Sequence, residues 1–512
     1  MMELSLVAAA GEVAAPLTLL TILVGVFVGI IAGAIPGFTF TMALVLAFPF
    51  TFAMGPVQGL ALMIGIYIGG LSGGLIAGIL LGIPGTPSSV VTVYDGYPMA
   101  KSGQPARALG IGIASSVIGT LIGAAVLFLV GPIIGRFTLN FGPWEIFSLV
   151  LFALTLVTGL SGKHLVKGLI AACLGLLIST IGIAPAGQMR FNFDNPQLSG
   201  GLNAIPVLIG LFAVSQLLIN VEESRLDTRP SAGTSTPKIR VPYGQVLKDM
   251  WHEKRNVLRS SMIGTFIGTL PAAGAESANF ISYDRAKKAE KRNPENYGKG
   301  HPGGIVASET SNNAVAGGAF IPTITLGIPG DVAQAVMMGA LILHGIAPGP
   351  GLFERQPILV NSIYLSIVIA ALCVLVVQTL LLPFLARVTL VPKAILVPCI
   401  LVLTAVGSFA MNNRIFDIWV VVAFGIIGFL LVKLSVPLGP MILGLILGST
   451  LEEELLRALQ LSDSLATFVT RPISLTFLVL AVGSIGFSIF QAHRARKKES
   501  RAKEPVNVET PV

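Results

Sequence analysis

The feature that most constrains this chain is a series of apolar runs, free of charge, each about as long as a bilayer is thick. They read APLTLLTILVGVFVGIIAGAIPG (residues 15–37), IYLSIVIAALCVLVVQTLLLPFL (363–385) and ISLTFLVLAVGSIGFSIF (473–490), against the roughly 20 residues that a spanning helix needs. Lipid offers no partner to a backbone N–H or C=O, so such runs must close their hydrogen bonds internally, as helices or as a closed barrel. The alternating short strands of a barrel are absent, which leaves helices. Composition agrees. Only 11% of the 512 residues are charged and the mean hydropathy is +0.83, whereas soluble domains carry about 25% charge. The sequence therefore predicts an all-α polytopic membrane protein.

Charge then sets direction. The first 100 residues contain no Lys or Arg, so the positive start of a cleavable signal peptide is missing and the first apolar run is expected to stay as a span. Of the 33 Lys and Arg, 14 lie between Val221 and Gly300, and six more follow from Arg494 in RARKKESRAK. The positive-inside rule places both regions in the cytoplasm, with the N-terminus outside. The net charge of +8 is thus a topology signal, and no nucleic-acid partner is expected, because the cations flank spans with few aromatics between them. Cys173, Cys373 and Cys399 stand singly in apolar runs, as packing residues. Trp144, Trp251 and Trp419 suit interfacial anchors.

Two ordered correspondences divide the chain. LGIPG occurs at Leu81–Gly85 and again at Leu326–Gly330, and IAGAIPG (31–37) has a weaker counterpart in FIGTLPA (266–272). Together they predict a duplicated unit, with a first transmembrane repeat and its following spans over 1–220, a polar cytoplasmic linker over 221–259, a second repeat over 260–492 and a basic cytoplasmic tail over 493–512. In the second half, SSMIGTFIGTLPAAGAESANFIS lies between two basic loops, so it must leave one side and return to it. Its arms of about 11 residues reach about 16 Å, half the hydrocarbon thickness. The expected architecture is two structural repeats, inverted as in other transporters, whose broken helices or re-entrant hairpins meet near the bilayer midplane.

Polar residues gather at these breaks. Ser88, Ser89 and Thr92, then Asp95, Lys101 and Arg107, follow the first LGIPG, while Glu309, Asn312 and Asn313 precede the second at the spacing that shares a helix face. Hydroxyls, Asn amides and the N–H groups after Pro84 and Pro329 suit a carboxylate; Asn oxygens suit Na⁺. Lys101 and Arg107 are candidates for attracting an anion at one mouth. GGLSGGLIAG, with Gly69, Gly70, Gly73, Gly74 and Gly78, is a small-residue face for close helix packing.

AIPGFTFTMALVLAFPFTF, IPGTPSSVVTVYDGYPMAKSGQPARALG and GKGHPGGIVASETSNNAVAGGAFIPTITLGIPG resemble the large membrane subunit of tripartite tricarboxylate transporters, the TctA family, from about Ile30 to Gly351. The resemblance implies a bacterial inner-membrane permease that imports di- or tricarboxylates such as citrate. It would work with a small TctB-like membrane subunit and a TctC-like periplasmic solute-binding protein, driven by Na⁺ or H⁺ without ATP or other cofactor. It also implies that Pro36, Gly37, Pro84, Gly85, Pro271, Pro329 and Gly330 form the core of the transport site, where Ser88 and Ser89 are expected from their hydroxyls to hold the carboxylate. Glu309, Asn312 and Asn313 are then expected to hold the coupling ion, with Na⁺ at the two Asn. Thr86 stands where the family commonly has an acidic residue, and Glu276 where a small or apolar one is expected, which leaves the substrate open.

Rival classes are a carboxylate channel and an intramembrane hydrolase. Tyr94-Asp95 and Tyr283-Asp284 share the dipeptide of intramembrane aspartyl proteases, but the partner GxGD motif is missing. HEKRN at His252 has Asn256 where a zinc helix needs its second His, and no Walker A loop occurs. The expectation is a transporter and not an enzyme.

Overall fold

A computed structural model describes residues 2–160, 165–226, 240–271, 273–291, 293–389, 393–462 and 464–502. Regular structure among them is helical but for one antiparallel pair, Gly182–Ile183 with Met189–Arg190. Seven helices are long and apolar enough to cross a membrane. The chain is an all-α polytopic membrane protein. Residues 227–239 of the expected linker and 503–512 of the expected tail lie outside the described residues.

Two compact units result, one from Met1–Asn140 with Leu202–Leu430, the other from Phe141–Gly201 with Leu431 onward. The first unit opens with α1 (Met2–Ala14), α2 (Pro16–Ala34), α3 (Phe40–Thr51), α4 (Pro56–Leu81), α5 (Val90–Lys101) and α6 (Pro105–Thr138). Helices α7 (Pro143–Leu160) and α8 (Leu165–Ser179) belong to the second unit. The first resumes with α9 (Ala204–Leu208), a π turn (Ile209–Val214), α10 (Ser215–Leu226), α11 (Tyr243–His252), α12 (Lys254–Gly268) and α13 (Gly274–Ala289). It continues through α14 (Pro302–Leu326), α15 (Val332–Leu343), α16 (Leu352–Arg355), α17 (Pro357–Val388), α18 (Lys393–Asn412) and α19 (Ile415–Lys433). The second ends with α20 (Leu438–Leu461), α21 (Thr467–Thr470) and α22 (Pro472–Ala502).

Proline starts many of these helices and glycine stops the two that matter most. Pro16, Pro56, Pro105, Pro302 and Pro357 each open a helix, where the missing N–H costs nothing. Helix α4 ends at Gly82 with φ 71°, and α14 ends at Gly327 with φ 69°, the left-handed cap that only glycine adopts without strain. Pro84 and Pro329 follow and forbid continuation. Each chain then doubles back on the helix it has left. Gly85 N–H donates to the Gly74 carbonyl at 3.4 Å, and a side chain on Gly85 would strike Gly74 and the Gly33 carbonyl. Gly330 approaches Ala319 so closely that an added Cβ would lie 2.6 Å from its Cα. In both cases the contact is to the residue eleven positions upstream. These two steric demands account for the repeated pentapeptide.

Glycine also fixes the helix directions. Gly25, Gly29 and Gly33 of α2 face the Leu62, Ile66 and Gly70 carbonyls of α4, and Gly65, Gly69 and Gly73 face Ile22, Val26 and Ile30 in return. The order shows that α2 and α4 run parallel, packed on small residues. In the same way Gly264 and Gly268 of α12 meet the Ser311 and Val315 carbonyls of α14, again parallel. Because α3 and α13 each join two parallel helices, each carries the chain back. Gly119 and Gly123 of α6 meet Thr310 and Ala314 of α14, also parallel. Helices α4 and α14 cross antiparallel: Asn312 Nδ2 donates to the Leu71 carbonyl at 2.8 Å, while the Tyr67 and Phe320 rings stand 6.5 Å apart.

In the second unit Gly175 and Gly444 bring α8 and α20 together, and Arg471 pairs with Glu145 at 2.5 Å. Trp144 is buried against Ala458 and Phe468, with the Arg471 guanidinium 4.7 Å over its ring, so it is a core residue and not an exposed anchor. Trp251 and Trp419 are exposed. The three cysteines are free.

Candidate functional site

The first doubled-back segment ends in a 3₁₀ turn, Pro87–Ser89, that leads into α5. Its hydroxyls are committed locally: Ser89 Oγ accepts from Thr86 N–H at 3.2 Å and donates to the Thr86 carbonyl at 2.8 Å, and Ser88 Oγ lies 3.1 Å from Thr86 Oγ1. Asn279 of α13 donates to the Ser88 carbonyl and accepts from Ser311 Oγ at 2.8 Å, which ties this turn to α14. Ser88, Ser89, Asn279 and Ser311 are all buried.

A second polar cluster begins two positions before Ser311 on α14. Glu309 is fully buried. Its carboxylate accepts from Thr92 Oγ1 of α5 at 2.5 Å, Ser116 Oγ of α6 at 3.1 Å and Asn313 Nδ2 at 3.4 Å. All three donors are neutral, and no basic side chain among the described residues pairs with it. A buried carboxylate without a counter-charge costs several kcal/mol. Beside it, the Asn312 and Asn313 side-chain oxygens and the Thr310 hydroxyl are buried with no hydrogen-bond partner. Orphaned buried acceptors are rare and call for a missing partner. A carboxyl group with surplus oxygen acceptors beside it has the donor chemistry that a proton or a hard cation could use.

The second doubled-back segment is built differently. Asp331 caps α15, its Oδ1 accepting from Gln334 N–H at 2.7 Å, and Tyr67 of α4 donates its hydroxyl to Oδ2 at 2.5 Å. Gln334 is fully buried, and neither its oxygen nor its nitrogen has a partner. Gly330 N–H donates to Thr323 Oγ1 at 3.3 Å.

Of the residues the sequence pointed to, Pro84, Gly85, Ser88, Ser89, Glu309, Asn312 and Asn313 are linked through α4, α13 and α14 as described. Pro329 and Gly330 lie at the second turn. Pro36 and Gly37 sit in the α2–α3 break beside Leu217, Val397 and Ile400, where the Gly37 carbonyl accepts from Asn220 Nδ2 at 2.7 Å. Pro271 is buried in the α12–α13 break, and Glu276 occupies the first turn of α13. Arg107 is spent on a two-point ion pair with Asp249, at 2.8 Å in each arm; Lys101 lies over the Tyr97 ring at 5.3 Å. Asp95 is a latch. Its Oδ1 accepts the N–H groups of Gly298, Gly300 and His301 at 2.7 to 2.9 Å and its Oδ2 the Tyr283 hydroxyl at 2.8 Å. Asp284 pairs with Lys288 on the surface, so the two Tyr-Asp pairs do not form a carboxylate dyad. Ser116, Asn279, Tyr67, Asp331 and Gln334 carried no motif in the sequence that set them apart from other polar residues.

Comparison with known proteins decides the family. Residues 19–443 match the model of the tripartite tricarboxylate transporter TctA family. The chain belongs to that family, a component of tricarboxylate transport systems. An Agrobacterium vitis protein described as an uncharacterized 52.8 kDa protein in the TAR-I ttuC' 3' region is 32% identical over 431 residues, covering 82% of this chain and 83% of its own. A second, described as an uncharacterized protein in the TAR-II ttuC' 3' region of the same organism, is 35% identical over 237 residues, 46% of this chain and 98% of its own. No solved structure matches this chain.

Proposed function

We propose that this chain is the permease of an ion-gradient-driven importer of di- or tricarboxylates such as citrate in the bacterial inner membrane. It works with a small TctB-like membrane subunit and a TctC-like periplasmic binding protein, and its N-terminus faces the periplasm and its C-terminus the cytoplasm. The observation that carries this reading is the buried Glu309, without a basic partner, with the orphaned oxygens of Asn312 and Asn313, beside the antiparallel crossing of two helices that each end in the same Gly-Ile-Pro-Gly reversal. In this reading α2–α6 and α12–α17 are inverted repeats whose hairpins end at mid-membrane. The breaks at Pro36–Gly37, Pro84–Gly85, Pro271 and Pro329–Gly330 frame the substrate, whose carboxylates meet Ser88, Ser89 and the N–H groups opening α5. The coupling cation sits at Glu309, Asn312 and Asn313, and binding there neutralises a charge that otherwise stands unpaid in the interior.

The test is uptake of labelled di- and tricarboxylates into proteoliposomes holding this chain, the small subunit and the binding protein, without ATP, under an imposed Na⁺ or H⁺ gradient. Accumulation above the external concentration is the expected result. Equilibration without accumulation identifies a channel instead.

A further inference from the structure

The 245-residue offset between the two LGIPG copies places Thr86 opposite Asp331, Ser89 opposite Gln334 and Tyr67 opposite Asn312. The two reversals therefore put different chemistry at matching positions. At the first, the residues at these positions are Thr and Ser, which carry no charge. At the second they are Asp and Gln, and the α15 N-terminus, which would otherwise attract an anion, is covered by a carboxylate of this chain. A substrate carboxylate is welcome at one and repelled at the other.

The second reversal has the makings of a cation site. The Asp331 carboxylate is engaged by neutral donors, the Tyr67 hydroxyl and the N–H groups of Gln334 and Ala333. Gln334, whose backbone N–H caps Asp331, is fully buried and its side-chain oxygen has no hydrogen-bond partner. Carboxylate, phenol and amide oxygens are hard ligands, suited to a hard cation and not to a soft metal. Among the described residues no group of three His, Cys, Asp or Glu forms a transition-metal centre. Tyr67 stands one helical turn along α4 from Leu71, whose carbonyl receives Asn312, so this cluster and the Glu309 cluster flank the α4–α14 crossing.

We propose that Asp331, with Tyr67 and Gln334, forms a second Na⁺ site, so that this chain binds two cations. The coupling consequence rests on the carboxylate-transport reading above; the site itself does not. A dicarboxylate imported with one cation still moves a net negative charge inward, against an inside-negative potential. A second cation removes that net charge, and it turns a reversal that repels the substrate into one that attracts it.

Equilibrium binding of ²²Na⁺ to the purified full chain, without substrate, tests the site directly. Wild type is expected to bind two ions per chain. Asp331→Asn keeps the α15 cap, since Asn caps as well as Asp, and is expected to bind one. Tyr67→Phe keeps the ring packing and Gln334→Leu the volume; each is expected to weaken one of the two sites about tenfold, the effect of losing one good ligand, and leave the other unchanged. Glu309→Gln is expected to remove the other ion. Two ions still bound by Asp331→Asn, or one or none bound by wild type, overturns the proposal. Failure of carboxylate accumulation in proteoliposomes, with two Na⁺ still bound, overturns the transport reading alone.

Discussion

At the scale of single residues, Glu309 concentrates the functional argument, because it is a buried carboxylate whose partners are all neutral. Glu309→Gln is expected to cut gradient-driven uptake by at least about tenfold while leaving membrane yield unchanged, since the amide keeps the volume and loses only the charge. Asn312→Ala is expected to do the same, with initial uptake rates as the readout; unchanged kinetics would remove Asn312 from the ion site. Glycines divide into two kinds that thermal unfolding in detergent can separate. Gly29→Ala drives a methyl group into the Ile66 carbonyl and is expected to destabilise by about 1–3 kcal/mol. Gly11→Ala meets nothing within 4 Å and is expected to be neutral or to gain up to about 1 kcal/mol. Sequence alone marked Glu309, Asn312 and Asn313 because they share one turn. It could not mark Ser116, Asn279 or Tyr67, whose partners Glu309, Ser88 and Asp331 lie 193, 191 and 264 residues away.

Elements explain why those distant residues meet. Each long helix that ends in LGIPG packs in parallel on the helix two places before it, α4 on α2 and α14 on α12, through glycine against carbonyl, and α4 and α14 cross antiparallel. The apolar run lengths made the helical class readable, and the pentapeptide marked where α4 and α14 end, because both are local. The pairing of α6 with α14 was not readable, since small residues mark a surface without naming its partner. Asp95 shows a similar limit: a polar residue at the end of a break read as a site candidate, and in the structure it fastens α5 to the loop before α14. Asp95→Ala removes the charged acceptor of three N–H groups in a partly exposed loop, and a hydrogen bond to a charged group is worth about 1.5–3 kcal/mol at most. The expected outcome is faster tryptic cleavage after Lys299, with Asp95→Asn intermediate.

At the scale of the whole molecule, the charge distribution predicts sidedness. In a chain with Cys173, Cys373 and Cys399 replaced, Arg240→Cys is expected to react with an impermeant maleimide only from the cytoplasmic side, and Glu354→Cys only from the periplasmic side. Reaction of both from one side would overturn the assigned topology. The return of Gly85 onto Gly74, and of Gly330 onto Ala319, bears on how such a machine moves. A flap needs slack at its root, and here the root is riveted to the shaft that carries it, with no room for a methyl group between them. Each reversal must therefore travel with its own long helix, as the barb travels with the hook. The joint that opens and closes access then has to be sought where two shafts slide or tilt past one another.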